Sequence, residues 1–301
     1  ENNSRNVKQG YLFVAIQGFS TDGHQYVENA IENGAVAIMI QEGCNLKGVK
    51  IPDSVTVVMA KDTREGLAIV SDNFYNHPSR KFKLIGVTGT KGKTTTTFMI
   101  KEIFEKAGKK VGLIGTIATY INGKKVKDSD RTTPESLELQ QTFDEMVKQG
   151  VEVVVMEVSS QSLKLNRVEG CNFDIVVFTN FSEDHISPKE HPDMEDYFNS
   201  KLKLFKMCKT GITNADDLHG AKIPRLFPDS NITTYGIDNY ANLLAKDITI
   251  TNSYVDFKVK LKDKNERVKT GIPGRFSVYN SLAAICVAQK FGIAPEPIKE
   301  A

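Results

Sequence analysis

Cysteine is scarce in this 301-residue chain, and its four copies, Cys44, Cys171, Cys208 and Cys286, lie far apart. No C-x-x-C pair occurs, which argues against structural zinc and against a disulfide framework; a reducing, cytoplasmic setting fits best. Long apolar runs are missing as well. The longest, such as Ala35 to Ile40, reach about a third of the roughly 20 residues that a bilayer-spanning helix requires, so membrane insertion is not expected. Neither sign of charge dominates, with 39 Lys plus Arg against 37 Asp plus Glu and a formal net charge of +2. Such a balance offers no general attraction to polyanions and argues against nucleic acid as a partner. The opening Glu1-Asn2-Asn3-Ser4 lacks an initiator Met and the apolar stretch of a signal peptide, so a chain trimmed at its start is expected. Internal repeats and low-complexity tracts are absent too.

What is present is ordinary globular material, 40% hydrophobic and 25% charged, in a length that suggests two domains. Strand-like and helix-like stretches alternate throughout, which predicts an α/β fold. In the first part, strands at Tyr11 to Ile16, Ala35 to Ile40 and Val55 to Met59 alternate with helices at about His24 to Asn33 and Thr63 to Tyr75. The turn-forming stretch Asn76-His77-Pro78-Ser79-Arg80 marks the boundary between a domain at 1–79 and a second at 80–301. Apolar runs at Leu84 to Val87, Val111 to Ile114, Val151 to Met156 and Ile175 to Phe178 suit the buried strands of a mainly parallel sheet. Asn122-Gly123 is a hairpin signal, because both residues tolerate positive φ. Leu243 to Gly271 reads as short strands forming a small β subregion, Asn280 to Phe291 as a helix, and Ala294 to Ala301 as a helix start or linker.

The most informative segment is Gly86-Val87-Thr88-Gly89-Thr90-Lys91-Gly92-Lys93-Thr94-Thr95-Thr96, set between a predicted strand and a predicted helix. It has the chemistry of a P-loop. Glycines let successive N–H groups converge on phosphate oxygens at a helix N-terminus, whose dipole favours negative charge. Lys93 would reach the terminal phosphates of ATP, and the Thr94 hydroxyl would serve Mg²⁺. The common Walker spacing is not met, since it requires glycine where Val87 stands. The bland alternative for the segment taken alone is an ordinary glycine-rich turn with a solvated lysine.

That turn, with segments spread over nearly the whole chain, resembles the Mur ligase family, the ADP-forming amide ligases of peptidoglycan synthesis. Asn3-Ser4-Arg5, Gly10 to Ala15 and Asp22-Gly23-His24 are similar to the family's uridine-nucleotide-binding domain. Thr132-Thr133-Pro134, Glu157-Val158-Ser159-Ser160, Arg167, Thr179 to Ser182, Asp184-His185, Asn214 to Asp217 and Gly274 to Asn280 follow in family order. The resemblance implies a small N-terminal α/β UDP-binding domain, a P-loop NTPase-like central domain, and an amino-acid-binding C-terminal domain that this chain lacks. It implies addition of a diamino acid to UDP-N-acetylmuramoyl-L-alanyl-D-glutamate through an acyl phosphate, with ATP and Mg²⁺, by a monomer that on these residues alone turns over poorly or not at all.

Residue by residue, the resemblance places ATP on Gly89, Thr90, Lys91, Gly92, Lys93, Thr94 and Thr95, with Asn280 at adenine. It gives the sugar nucleotide to Ser4, Arg5, Thr132, Thr133, Ser159 and Arg167, the last suited by its planar fork to a carboxylate or phosphate. Lys93, Glu157, His185 and Lys201 carry catalysis; Thr94, Glu157, His185 and Lys201 hold metal, Lys201 as a carbamate. From its surroundings alone, Lys201 reads as one lysine of a solvated helical face with Lys203, Lys206 and Lys209, Arg167 as a surface ion pair, and Asn280 as a helix cap. Asn3 stands where the family has Asp, Gln161 where it commonly has His, Lys91 where the P-loop usually has Asn, and Ser277 where Asn is frequent. His191 follows an altered loop and is not assigned as a ligand. Three rivals stay open: a folylpolyglutamate synthase-like or cyanophycin synthetase-like ligase, a simple P-loop kinase or GTPase, and a non-catalytic nucleotide-binding module.

Overall fold

The computed structural model describes residues 1–301 apart from Lys47, His185, Pro188 and Lys189. Three parallel strands, β1 (Tyr11–Val14), β2 (Ala35–Gln41) and β3 (Thr56–Ala60), form the first sheet in that order. A 3-10 turn at Gly23–Tyr26 and the short α1 (Val27–Glu32) link β1 to β2, where one longer helix is predicted from sequence. α2 (Thr63–Phe74) starts where the Asp62 carboxylate accepts the backbone N–H groups of Arg64 at 2.8 Å and Glu65 at 3.2 Å, a side-chain cap that fixes the first turn.

The chain then builds, in order, β4 (Lys83–Thr88), α3 (Lys93–Lys106), β5 (Val111–Ile114), β6 (Ala118–Ile121), β7 (Lys124–Asp128), α4 (Ser136–Lys148) and β8 (Val153–Glu157). There follow α5 (Ser160–Lys164), β9 (Phe173–Phe178), α6 (Met194–Leu202), β10 (Cys208–Asn214), α7 (Ile223–Leu226), β11 (Asn231–Gly236) and β12 (Leu243–Leu244). These strands make one nine-stranded sheet ordered β12-β11-β10-β9-β4-β8-β5-β6-β7, parallel except where β6 and β7 turn back. β13 (Lys246–Ile250), β14 (Val255–Leu261) and β15 (Lys264–Thr270) form a small antiparallel sheet before α8 (Arg275–Lys290) and α9 (Pro295–Glu300).

The unbroken apolar runs of the central strands divide between two cores. Ile85, Val87, Val153 and Val155 face α3 and α8, while Leu84, Val154 and Met156 face the opposite layer with Phe143 of α4. Each such side chain, fully buried, contributes about 1.5–3 kcal/mol, which is why the sheet needs cover on both faces. At the far edge Asn122 (φ 50°) and Gly123 (φ 79°) make the hairpin turn that their sequence signals, and all five residues of β7 are exposed.

Three expectations are corrected. The last long helix begins at Arg275, so Asn280 lies in its second turn and is not its cap. The lysines after Tyr197 do not share a face: α6 ends at Leu202, a 3-10 turn takes 203–207, Lys209 enters β10, and Lys201 is only 1% exposed. Arg167, expected to be a surface pair in isolation, is buried. Among the described residues no helix is long and apolar enough to cross a membrane.

Candidate active site

β4 delivers the glycine-rich turn to the carboxyl edge of the large sheet, where open α/β folds bind ligands. Gly89 (φ 140°) passes so close to β9 that a Cβ there would lie 2.0 Å from Thr179 Oγ1. Gly92 (φ 86°) caps α3, and a Cβ there would meet Asn280 Oδ1 at 2.6 Å. The end of β9 then braces the turn: Thr90 N–H donates to Asn180 O at 2.9 Å, Lys91 N–H to Asn180 Oδ1 at 3.0 Å, and Thr179 Oγ1 to Lys91 O at 2.7 Å.

Two lysines close on this turn. Lys93 Nζ donates to Gly89 O and Thr90 O, each at 3.0 Å, and Lys201 Nζ reaches the same Gly89 O at 2.9 Å while lying 4.4 Å from the centroid of the Tyr197 ring. Burial and the neighbouring Lys93 charge press the Lys201 ammonium well below its ordinary value. Burial lowers Lys93 too, against the opposing pull of Glu157 and Asp184. Two buried lysine side chains thus share one carbonyl acceptor.

Glu157 ends β8 beside them, almost fully buried. Its Oε2 accepts from Thr94 Oγ1 and Thr116 Oγ1, both at 3.0 Å, and its Oε1 from Thr116 N–H at 2.9 Å. The carboxylate and the hydroxyl of Thr94 are hard oxygen donors within hydrogen-bond distance of each other, a set that fits Mg²⁺. Among the described residues there is no cluster of three or more His, Cys, Asp or Glu able to hold a metal. That is compatible with an ion that takes most of its ligands from phosphate and water. The expected ligand His185 lies outside the described residues. His191 is buried between Asp196 (Nδ1 to Oδ2, 2.6 Å) and Ser160 (Nε2 to Oγ, 2.9 Å), a packed position that agrees with leaving it unassigned.

Thr132 Oγ1 lies 3.1 Å from Thr116 Oγ1, at the rim of this cluster. Thr133, expected to touch substrate, is fully buried; its hydroxyl donates to Glu157 O (2.9 Å) and accepts from Ser159 N–H (3.1 Å), so it positions the end of β8. Ser159 Oγ caps α5 by accepting from Ser162 N–H at 3.1 Å. Arg167 donates from Nη1 to Thr133 O at 3.3 Å and pairs with Glu135 at 2.9 Å, while its Nε has no hydrogen-bond partner among the described residues.

Two cavities flank these groups. One of about 540 Å³ is lined by Lys91, Gly92, Thr95 and Asn280 together with Asp216, Phe276 and Tyr279. Asp216 accepts the N–H groups of Ile237 (2.6 Å), Asp238 (3.0 Å) and Asn239 (2.7 Å) and the Tyr279 hydroxyl (3.0 Å). Burial pushes the Asp216 carboxyl up, but these donors more than reverse it and leave it below its ordinary value. Phe276 and Tyr279 are not singled out in the sequence; their i, i+3 and i+4 spacing to Asn280 in one helix is the signal that could have found them. The second cavity, about 840 Å³, contains Ser4 and Arg5 in its wall together with Arg64, Arg131 and Glu135.

This arrangement defines an α/β protein with a P-loop-like turn at the carboxyl edge of its sheet. The chain belongs to the Mur ligase family: the Mur ligase middle domain matches residues 87–288, and the family's catalytic domain matches residues 1–80. It is 48% identical over 299 residues to a UDP-N-acetylmuramoyl-L-alanyl-D-glutamate–2,6-diaminopimelate ligase of Caldanaerobacter subterraneus subsp. tengcongensis, covering 99% of this chain and 60% of that protein. The protein of that name from Clostridium botulinum is 45% identical over 301 residues, covering 100% of this chain and 61% of the relative. A solved structure of a ligase with the same name superposes with a TM-score of 0.85 at 24% identity, over 100% of this chain and 61% of the other, a likeness of fold. The chain thus spans about 60% of the length of the curated relatives it matches.

Proposed function

We propose that this chain carries the ATP and sugar-nucleotide sites of an ADP-forming ligase that joins 2,6-diaminopimelate to UDP-N-acetylmuramoyl-L-alanyl-D-glutamate. The observation that carries this reading is the meeting of Lys93 and Lys201 on the Gly89 carbonyl beside the Thr94–Glu157 pair. The relatives' names supply the substrates.

In this reading, ATP lies in the 540 Å³ cavity, with adenine toward Asn280 and the phosphates along Gly89, Thr90, Lys91, Gly92, Lys93, Thr94 and Thr95. Lys93 leaves the loop carbonyls and swings to the terminal phosphates, which replace those carbonyls as stronger, charged acceptors. A carboxylate oxygen of the substrate attacks the γ-phosphorus, the bond to the bridging oxygen breaks, and ADP leaves an acyl phosphate behind. The incoming amine attacks the acyl carbon and loses a proton, and inorganic phosphate departs as the amide forms. Thr94, Glu157, His185 and carbamylated Lys201 would hold Mg²⁺, which when bound offsets charge on the phosphoryl oxygens. The unmodified ammonium of Lys201 would repel that ion. Its depressed proton affinity keeps the nitrogen free to attack carbon dioxide, release one proton, and present an anionic oxygen in place of a cation. Ser4, Arg5, Thr132, Ser159 and Arg167 hold the sugar nucleotide, with Thr133 acting through the end of β8.

Because the relatives are longer, binding is the readout. Calorimetry should find saturable binding of ADP and, separately, of UDP-N-acetylmuramoyl-L-alanyl-D-glutamate, and Lys93→Met should weaken ADP about tenfold or more while sparing the sugar nucleotide. ADP binding without the muramoyl nucleotide would instead fit a folylpolyglutamate synthase-like ligase, and binding of neither would end the proposal. With ¹³C-bicarbonate, a carbamate resonance should appear in the unaltered chain and vanish in Lys201→Arg.

A further inference from the structure

A buried polar cluster close to the glycine-rich turn has no part in the mechanism above. It joins Ser160, the first residue of α5, to His191 in the loop before α6 and to Asp196 in the first turn of that helix. His191 is 0% exposed, and both ring nitrogens are engaged, Nδ1 with Asp196 Oδ2 at 2.6 Å and Nε2 with Ser160 Oγ at 2.9 Å. The protons in this chain of contacts follow from its far end. Asp196 also accepts from Lys164 Nζ at 2.8 Å, and although burial pushes its carboxyl up, the Lys164 and His191 donors leave it below its ordinary value. An ionised carboxylate takes the Nδ1 proton. Burial outweighs the pull of Asp196 and lowers the proton affinity of His191, so the ring is neutral, Nε2 accepts, and the Ser160 hydroxyl donates.

We infer that His191 is a positioning residue for the Mg²⁺ site: it ties the end of β8, which carries Glu157, to the helix that carries Lys201, and its role rests on those two residues holding the ion as proposed. Ser160 follows Glu157 by three residues, so its hydrogen bond anchors the segment by which β8 leaves the sheet. On the other side, the His191 ring lies 5.0 Å from the Tyr197 ring, whose centroid is in turn 4.4 Å from Lys201 Nζ. The Tyr197 hydroxyl donates to Thr90 Oγ1 at 3.2 Å, inside the glycine-rich turn. His191 therefore sets α6 twice, by a hydrogen bond at Asp196 and by packing at Tyr197, and the helix holds Lys201 against Gly89 O.

Filling space does not require a histidine here. An apolar side chain would pack as well but would leave the buried Ser160 hydroxyl without its acceptor. What imidazole adds is a rigid plate with a donor on one edge and an acceptor on another, which fixes the separation of two segments. Their ligands must meet one small ion that tolerates little departure from octahedral geometry.

The role is tested by calorimetry with the β,γ-imido analogue of ATP, in Mg²⁺ and in EDTA, on the unaltered chain and three variants. His191→Asn keeps a donor toward Asp196 and loses the link to Ser160. His191→Gln keeps an acceptor toward Ser160 and loses the link to Asp196. Ser160→Ala removes one hydroxyl and leaves the ring in place. Mg²⁺ should tighten binding of the analogue about tenfold in the unaltered chain and no more than about twofold in each variant. Affinity in EDTA, and affinity for UDP, should stay within about twofold, which damage to the whole fold would not allow. A full Mg²⁺ gain in Ser160→Ala and in either histidine variant would overturn the inference, as would equal losses with and without the ion. Should both histidine variants fail to fold, Ser160→Ala decides alone. No Mg²⁺ gain in the unaltered chain would instead remove the metal site proposed above, and this role with it.

Discussion

At Gly89 one methyl group separates a working turn from a broken one. Alanine there would combine a positive φ of 140° with a 2.0 Å approach to Thr179 Oγ1, so Gly89→Ala should lower stability by about 1–3 kcal/mol and abolish measurable ADP binding, read by chemical denaturation and calorimetry. Gly89, Gly92 and Lys93 were legible in the sequence because their chemistry is local: the residues that shape the turn are the residues of the turn. Lys201 was legible only through family resemblance. Its surroundings in sequence advertise a wet lysine-rich face, and nothing nearby announces that Tyr197 and the Gly89 carbonyl will enclose it. Arg64 was not singled out, since it reaches its cavity through packing between distant segments, whereas Tyr279 had a local signal in its helical spacing to Asn280.

At the scale of elements, the sheet strands were read within a few residues because unbroken Val and Ile runs have few other uses. Edges were harder. α8 gains a first turn from Gly274 onward, which carries Phe276 and Tyr279 to the 540 Å³ cavity and moves Asn280 inside the helix. α4 was missed although Leu139, Phe143 and Met146 recur at helical spacing, as were β10 and β11, whose threonines and asparagines dilute the apolar signal. The segment after β11 is pinned to α8 by Asp216, whose carboxylate collects three backbone N–H groups and the Tyr279 hydroxyl. Asp216→Asn should cost about 2 kcal/mol at neutral pH. The sign of its pH dependence follows from a folded pKa below the ordinary value: the contribution is complete above about pH 4 and fades as acid titrates the folded carboxylate. Denaturation curves of the two proteins should therefore converge as the pH falls below that point.

For the whole molecule, the proposed function gives the two cavities separate ligands, and so separate stabilisation. At a hundred times its dissociation constant, each ligand should raise the unfolding free energy by about 2.7 kcal/mol, and the two increments should add unless the contacts from Glu135 through Arg167 and Thr133 to Glu157 couple them. Thermal scans with ADP, with UDP and with both would measure that difference directly. The outermost strand of the large sheet has a bearing on solution behaviour. β7 turns one row of backbone groups outward with no further strand beside it among the described residues, the geometry through which sheets of different copies join edge to edge. Lys124, Lys125 and Lys127 line that open border, Lys125 paired with Asp128 and Lys127 with Glu138, so a second copy docking there has to displace or desolvate these charges. Replacing all three with threonine should leave the fold intact and make the protein prone to concentration-dependent aggregation, visible as rising light scattering, if charge is what guards this border of the nine-stranded sheet.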